Sequence, residues 1–383
     1  MKEKVVLIPL HLTLNYPCDY IDQTAKILSK KNLVILYDFN NLVSWKKIIN
    51  LKKHFLIIKK NLKLIKNKNK GIVYFQSPAL LPFQKNSIIS SVNKLLGFIF
   101  ISFLLFIFKK KLIIWQFFPL ATSRLIKLIF NQKYIYDCVD YLDIEIHGQK
   151  VINEEKKLIK LADYIAFNSK PLYKKKLLEN KILKNKKTII TVCGTNYPLF
   201  NLKPELNKNN IAIIYGVLDY RLNTLLILKT IKKLFDWHFY ILGPIQKQGR
   251  EAISNNFSKI IQQENVKYFG HIPKNNLKEY LKKAKVGLVP YNTKFNFVKY
   301  SNPMKVYEYL AAGIPVVSTK ILSLEKYPKD IIFTTNNVND FINAIKRLTN
   351  DWNIEKIKKA KKIAKNNSWE NKIKIILKNI NIN

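Results

Sequence analysis

Short apolar runs alternate with amphipathic stretches along the whole chain. The runs Val5–Pro9, Leu33–Tyr37, Ile72–Phe75, Leu112–Phe117, Tyr134–Tyr136 and Tyr164–Phe167 predict strands, and Asp22–Lys30 and Ile88–Phe108 predict helices. Strands that are apolar throughout are covered on both faces, so their alternation with helices predicts a parallel α/β sheet. Near Thr188–Val192 the pattern pauses, and Gly194–Asn210, polar and carrying Pro198 and Pro204, reads as a linker. The alternation then restarts. Strands are predicted at Ile211–Tyr215, Phe239–Leu242, Val266–Phe269, Val286–Pro290 and Ile314–Ser318, helices at Asn223–Leu234, Asn275–Lys283 and Pro303–Ala312, and further helices from Val338 onward. The expectation is two doubly wound, Rossmann-like domains, residues 1–195 and 196–365, with residues 366–383 as a closing helix packing back toward the first. Ligands of such sheets bind beyond the C-terminal strand ends, here in the cleft between the two domains.

Composition changes this picture little. Three cysteines without paired spacing fit a reducing compartment and neither a disulfide framework nor a zinc site. The net charge of +42 comes from 67 basic against 25 acidic residues, of which only Arg124, Arg221, Arg250 and Arg347 are Arg. Scattered lysines with few Arg fit compositional drift first and an anionic membrane surface or anionic substrate second, and they argue against a nucleic-acid reader built on Arg forks. Val5–Leu10 is too short for a signal-peptide core. Leu95–Phe108, followed by three lysines, falls short of the roughly 20 residues a spanning helix needs. It reads as a buried core helix, with a helix dipping into one leaflet as the alternative.

The chemistry is concentrated in Ser301–Thr319, SNPMKVYEYLAAGIPVVST. Asn302 suits a helix cap, Pro303 the first turn and Gly313 the position just past the end, after which Ile314, Val316 and Val317 enter a buried strand. The short helix therefore aims its N-terminus, with free N–H groups and positive partial charge, at the cleft, a site for a diphosphate. Lys305 adds a cation there. Glu308, three residues on and on the same face, can accept hydrogen bonds from both hydroxyls of a ribose. A bare Lys/Glu pair at this spacing is more often a surface ion pair, and the flanking Pro, AAG and PVV are what weaken that alternative.

This segment resembles the donor-site signature of bacterial group 1 (GT4-like) glycosyltransferases, through Ser301, Pro303, Lys305, Glu308, Tyr309, Leu310, Ala311, Gly313, Pro315, Val316, Val317 and Thr319. Residues 211–319 as a block, with Tyr215–Arg221, Asp236–Phe239, Leu242–Pro244, Asn265–Gly270 and Val289–Tyr291, are similar to the subgroup of teichuronic-acid, capsule and exopolysaccharide transferases, and Ser368-Trp369-Glu370 fits the family's last helix. The resemblance implies a GT-B fold whose second domain holds a nucleotide-sugar donor, a UDP-sugar in first place, without a metal or other cofactor. Glu308 would take the ribose. Lys305, with Ser301 and Pro303 at the helix N-terminus, would take the diphosphate, Gly216 and Arg221 would face the diphosphate or sugar, and His271 would lie near the base. Retaining members carry a further Glu where this chain has Tyr300, so the stereochemical course stays open.

On the acceptor side, Tyr136–Asp143 follows a predicted strand and opens into the cleft. An inverting transferase needs a carboxylate to take the acceptor's proton. Asp140 is the first candidate and Asp137 the second, the alternative being a helix cap and a solvated loop residue. His11, His54, His147 and His238 form no cluster, and no metal site is expected. The expected activity is transfer to a lipid-linked or polysaccharide acceptor at the inner face of the cytoplasmic membrane, by a cytoplasmic, peripheral enzyme. The rivals are a nucleotide-sugar epimerase of the same fold and a non-catalytic membrane or nucleic-acid binder.

Overall fold

The predicted apolar runs pair into two parallel sheets. The computed structural model describes residues 4–10, 19–38, 71–76, nine positions between 91 and 106, 112–120, 126–127, 132–246, 253–254 and 256–381. The first sheet holds β1 (Val5–Leu10), β2 (Leu33–Asp38), β3 (Ile72–Gln76), β4 (Leu112–Gln116), β5 (Lys133–Cys138), β6 (Tyr164–Phe167) and β7 (Lys187–Ile190), in the order β3-β2-β1-β4-β5-β6-β7. The second holds β8 (Ile211–Tyr215), β9 (His238–Leu242), β10 (Val266–Tyr268), β11 (Val286–Val289), β12 (Val316–Ser318) and β13 (Ile332–Thr334), in the order β10-β9-β8-β11-β12-β13. The order reverses beside β1 in one sheet and beside β8 in the other, and a crevice opens at such points.

The described helices are α1 (Asp19–Leu28), α2 (Ile144–His147), α3 (Gln149–Leu161), α4 (Lys170–Glu179), α5 (Tyr197–Phe200), α6 (Thr224–Lys233), α7 (Phe257–Ile261), α8 (Leu277–Lys283), α9 (Asn296–Lys299), α10 (Met304–Ala311), α11 (Val338–Asn350), α12 (Ile354–Asn366) and α13 (Trp369–Asn379). Strand periodicity sorts the first domain's core. Val5, Leu7, Ile35 and Tyr37 join one cluster with α3 and α4, whereas Val6, Ile8, Val34 and Leu36 join another with α1. Ile373, Ile376 and Ile380, in and just after α13, are buried in that second cluster, so the end of the chain packs on the first sheet. At about 1.5–3 kcal/mol for each fully buried side chain, these three residues tie the two domains together.

Four features differ from the sequence reading. The expected pause at Thr188–Val192 overlaps β7, an edge strand in which Ile189 alone is buried. β13, the other edge strand, was not anticipated, and of its three residues only Ile332 is buried. Asn302 does not cap α10. Its side chain instead accepts from the Tyr307 hydroxyl at 2.6 Å and donates to the Asn168 carbonyl of the first domain at 2.8 Å. Among the described residues of the segment expected to be a buried core helix, only Ile101 is fully buried. The described residues between 91 and 106 are helical, and Ile101 and Phe98 pack on the core. Val92, Leu95, Ile99, Phe103 and Phe106 are exposed, Phe106 by 66%. Their spacing of three and four residues puts them on one helix face.

Candidate active site

After β8 the chain turns at Gly216, whose φ of +120° favours glycine. A Cβ there would meet the Lys305 ammonium. That ammonium donates to the Tyr215 carbonyl at 2.7 Å and lies 5.0 Å from the Tyr291 ring centroid. Lys305 is therefore held over the β8 turn by a carbonyl and an aromatic face, and it makes no ion pair with Glu308 in this state. Five residues beyond Gly216, Arg221 grips Asp219 through Nε at 2.9 and 3.0 Å and Nη2 at 2.5 Å. This fork fixes the guanidinium with one edge still available.

α10 enters from the other side. Pro303 precedes it and no side chain caps it. The Val306 N–H turns back to the Pro303 carbonyl at 3.2 Å, and the N–H groups of Met304 and Lys305 are left for a ligand or water. Gly313, at φ +79°, ends it as the sequence predicts. Ser301 lines the cavity, but its hydroxyl is used on the Val298 carbonyl at 2.7 Å.

These elements and the first domain enclose a cavity of about 280 Å³, lined by Ser301, Pro303, Lys305, Glu308 and Arg221 from one side and Asp140, Asn168 and Tyr20 from the other. The geometry thus brings together six of the nine residues singled out from the sequence, with Gly216 as a seventh directly beneath Lys305. His271 is exposed and does not line the cavity. Asp137 lies behind it, fully buried, in an ion pair with Lys372 of α13 at 2.9 Å. Its position is that of a counter-charge, out of reach of an acceptor hydroxyl.

Asp140 is the carboxylate that the first domain brings to the cavity wall. Burial raises its pKa above the ordinary carboxylate range, opposed by Arg221, His147 and Lys372. A carboxylate tuned upward in a cleft is suited to taking a proton.

Glu308 is buried, and both its oxygens are engaged. Oε2 accepts from the Tyr215 hydroxyl, and Oε1 lies 3.1 Å from the Lys274 ammonium. Lys274 also pairs with Asp19 at the start of α1. Burial alone would lower the pKa of Lys274, but Glu308 and Asp19 together hold it above its usual value. A chain of charge, Asp19–Lys274–Glu308, therefore crosses the cleft. Sequence reading missed Lys274, Asp19, Asn168 and Trp369. One Lys among 63 carries no signal, and an acidic first turn reads as ordinary helix chemistry. Only Trp369, inside the Ser-Trp-Glu triplet, had a legible clue. The Cys193 thiol, donated to the Asn302 carbonyl at 2.8 Å and pushed by burial up to about 12, is a packed residue and no nucleophile.

Residues 200–368 match the family described as glycosyl transferases group 1. A Bacillus subtilis (strain 168) protein named as a teichuronic acid biosynthesis glycosyltransferase, TuaH, is 26% identical over 289 residues, 69% of this chain and 70% of that protein. Among solved structures, sucrose-phosphate synthase of Thermosynechococcus elongatus superposes with a TM-score of 0.70 at 16% identity, covering 98% of this chain and 97% of that one. Anabaena HepE, solved in complex with UDP, gives 0.64 at 12% identity over 99% of each chain. At such identities these structures establish the fold.

Proposed function

We propose that this chain, whose residues 200–368 match the group 1 glycosyl transferases and whose fold is GT-B, moves a sugar from a UDP-sugar to a lipid-linked or polysaccharide acceptor in cell-surface glycan synthesis. The observation that carries this reading is the uncapped N-terminus of α10 beside Lys305, Arg221 and Glu308 in one interdomain cavity. The ribose hydroxyls donate to Glu308, whose oxygens each keep a lone pair beyond those used by Tyr215 and Lys274. The diphosphate lies at the α10 N-terminus, with Lys305 and Arg221 supplying the charge that offsets its departure. This arrangement stabilises the leaving group without a metal. Asp140 takes the proton of the acceptor hydroxyl as its oxygen attacks the anomeric carbon. The bond from that carbon to the diphosphate oxygen breaks, and the electron pair leaves with the nucleotide. HepE, of the same fold, was solved with UDP, which supports a uridine donor.

The exposed apolar stripe supports an acceptor at a membrane surface. No described helix is long and apolar enough to cross a membrane. Val92, Leu95, Ile99, Phe103 and Phe106 on a strongly basic chain are nevertheless the parts of a helix that lies in an anionic leaflet.

The test is calorimetric binding of UDP, GDP, ADP and CMP to wild type and Glu308→Ala. UDP alone should bind tightly, and the substitution should weaken it by roughly 10- to 100-fold, the equivalent of losing hydrogen bonds to a charged group. No binding by wild type, or undiminished binding by Glu308→Ala, would sink the donor-site reading.

A further inference from the structure

Lys305 and Glu308 stand three residues apart on α10, the spacing at which an ammonium and a carboxylate ordinarily pair. Here they are kept apart. Glu308 pairs with Lys274 at 3.1 Å, and Lys305 pairs with no carboxylate among the described residues. Tyr215 holds one end of each: its hydroxyl donates to Glu308 Oε2, and its carbonyl accepts from the Lys305 ammonium at 2.7 Å. Two opposite charges that would cancel each other are thus separated, one for a ribose and one for a diphosphate. Tyr215 is neutral, so the charge that keeps Glu308 from capturing Lys305 must come from elsewhere.

Lys274 supplies it. This residue begins a single helical turn, Lys274–Asn276, between β10 and α8. It does not line the central cavity, so its partner is Glu308 rather than a ligand there. Its ammonium meets three parts of the molecule: Glu308 of the second domain, Asp19 at the start of α1 in the first, and the ring of Phe200 in α5, 5.8 Å from the centroid. Sharing between two carboxylates leaves Glu308 part of its charge, and with it the strength to accept from hydroxyl donors. The Glu308 side chain is only 5% exposed, so without Lys274 it would be a buried carboxylate with no cation. Lys305, one turn back on the same helix, is then the cation within reach. A carboxylate that captured it would turn from the ribose and withdraw the charge meant for the diphosphate.

We propose that Lys274 is a positioning residue for the donor nucleotide: it keeps Glu308 aimed at the ribose and Lys305 free for the diphosphate, and the first domain takes part through Asp19, which holds Lys274 in place. The inference rests on the donor-site reading above and adds the residue that divides the site's charges.

The test is calorimetric titration of UDP into the full chain and its variants. Lys274→Met should weaken binding by roughly tenfold or more, the scale of a hydrogen bond to a charged group, and Lys274→Arg, which keeps the charge, should restore it to within about threefold. Lys305→Met should cost about tenfold in the wild-type background but no more than about threefold when Lys274 is already Met, because Lys305 has by then gone to Glu308. A merely structural role for Lys274 would leave the two losses additive. Asp19→Asn should weaken binding by about threefold, as for a partly exposed ion pair, and add nothing to Lys274→Met. Thermal melting identifies a variant that fails to fold, and Lys274→Gln replaces Lys274→Met if that one does. The positioning role is overturned if Lys274→Met binds UDP as tightly as wild type, if it binds more tightly (Lys274 then being a plug that the nucleotide displaces), if Lys274→Arg restores nothing, or if the losses add. An Asp19→Asn variant that binds like wild type overturns the part given to the first domain. Absence of UDP binding to wild type, or undiminished binding by Glu308→Ala, overturns the donor-site reading itself, whereas a loss in Glu308→Ala with none in Lys274→Met overturns the positioning role alone.

Discussion

Asp137 and Asp140 are three residues apart at the end of β5, and their surroundings assign them different tasks. Asp137 is sealed against Lys372, and removing either partner leaves an uncompensated buried charge. Asp137→Ala should lower unfolding free energy by about 3–5 kcal/mol in urea titration, while Asp137→Leu combined with Lys372→Met should recover most of that loss. Asp140→Asn should cut turnover by roughly 100- to 10,000-fold with little change in melting temperature or UDP affinity. Because burial raises the Asp140 pKa, and a base works only when deprotonated, turnover should rise with pH through a limb above the ordinary carboxylate range. His147 is one of the groups that oppose the rise, so His147→Gln should move that limb to higher pH. A limb that stays in place would show that another group is titrating.

At the scale of elements, the chain crosses between the domains twice, and the crossings touch. Gly194 begins one and Trp369 begins the other, with the Trp369 N–H donating to the Thr195 carbonyl at 3.1 Å. Gly194 has φ +97°, and a Cβ on it would enter the Trp369 ring. Gly194→Ala should therefore cost stability and loosen α13, read as earlier melting and faster proteolysis near residue 368. Ile376→Ala, in the middle of α13, should cost about 2–5 kcal/mol. The long, uniformly apolar strands and the α10 segment were legible in the sequence because each local signal agrees with the global fold. Ile211–Tyr215 and Tyr164–Phe167 coincide with their strands to the residue. β7 and β13 were not legible, since each buries only one of its own residues, Ile189 and Ile332, and so lacks the unbroken apolar character of the central strands. Asn302 was misread because cap chemistry is local, whereas its actual partners, Tyr307 and Asn168, include one from the other domain. The Asp19–Lys274–Glu308 chain arises only when two domains meet, and a linear pattern holds no trace of that meeting.

Over the whole molecule, the apolar stripe and the basic excess predict reversible attachment to a charged bilayer. Phe103→Glu combined with Phe106→Glu should abolish flotation with anionic vesicles while leaving UDP affinity intact, and wild-type flotation should weaken with added salt. Attachment that survives both substitutions would move the membrane face elsewhere. The position of α13 also bears on synthesis. The first sheet is made early, but one of its faces keeps Val6, Ile8, Ile113 and Trp115 without Ile373, Ile376 and Ile380 until the whole second sheet and then α13 have been made. Throughout the synthesis of the second domain the emerging first domain carries an open apolar face, which makes it a client for chaperones and leaves ribosome-stalled or truncated chains prone to aggregate.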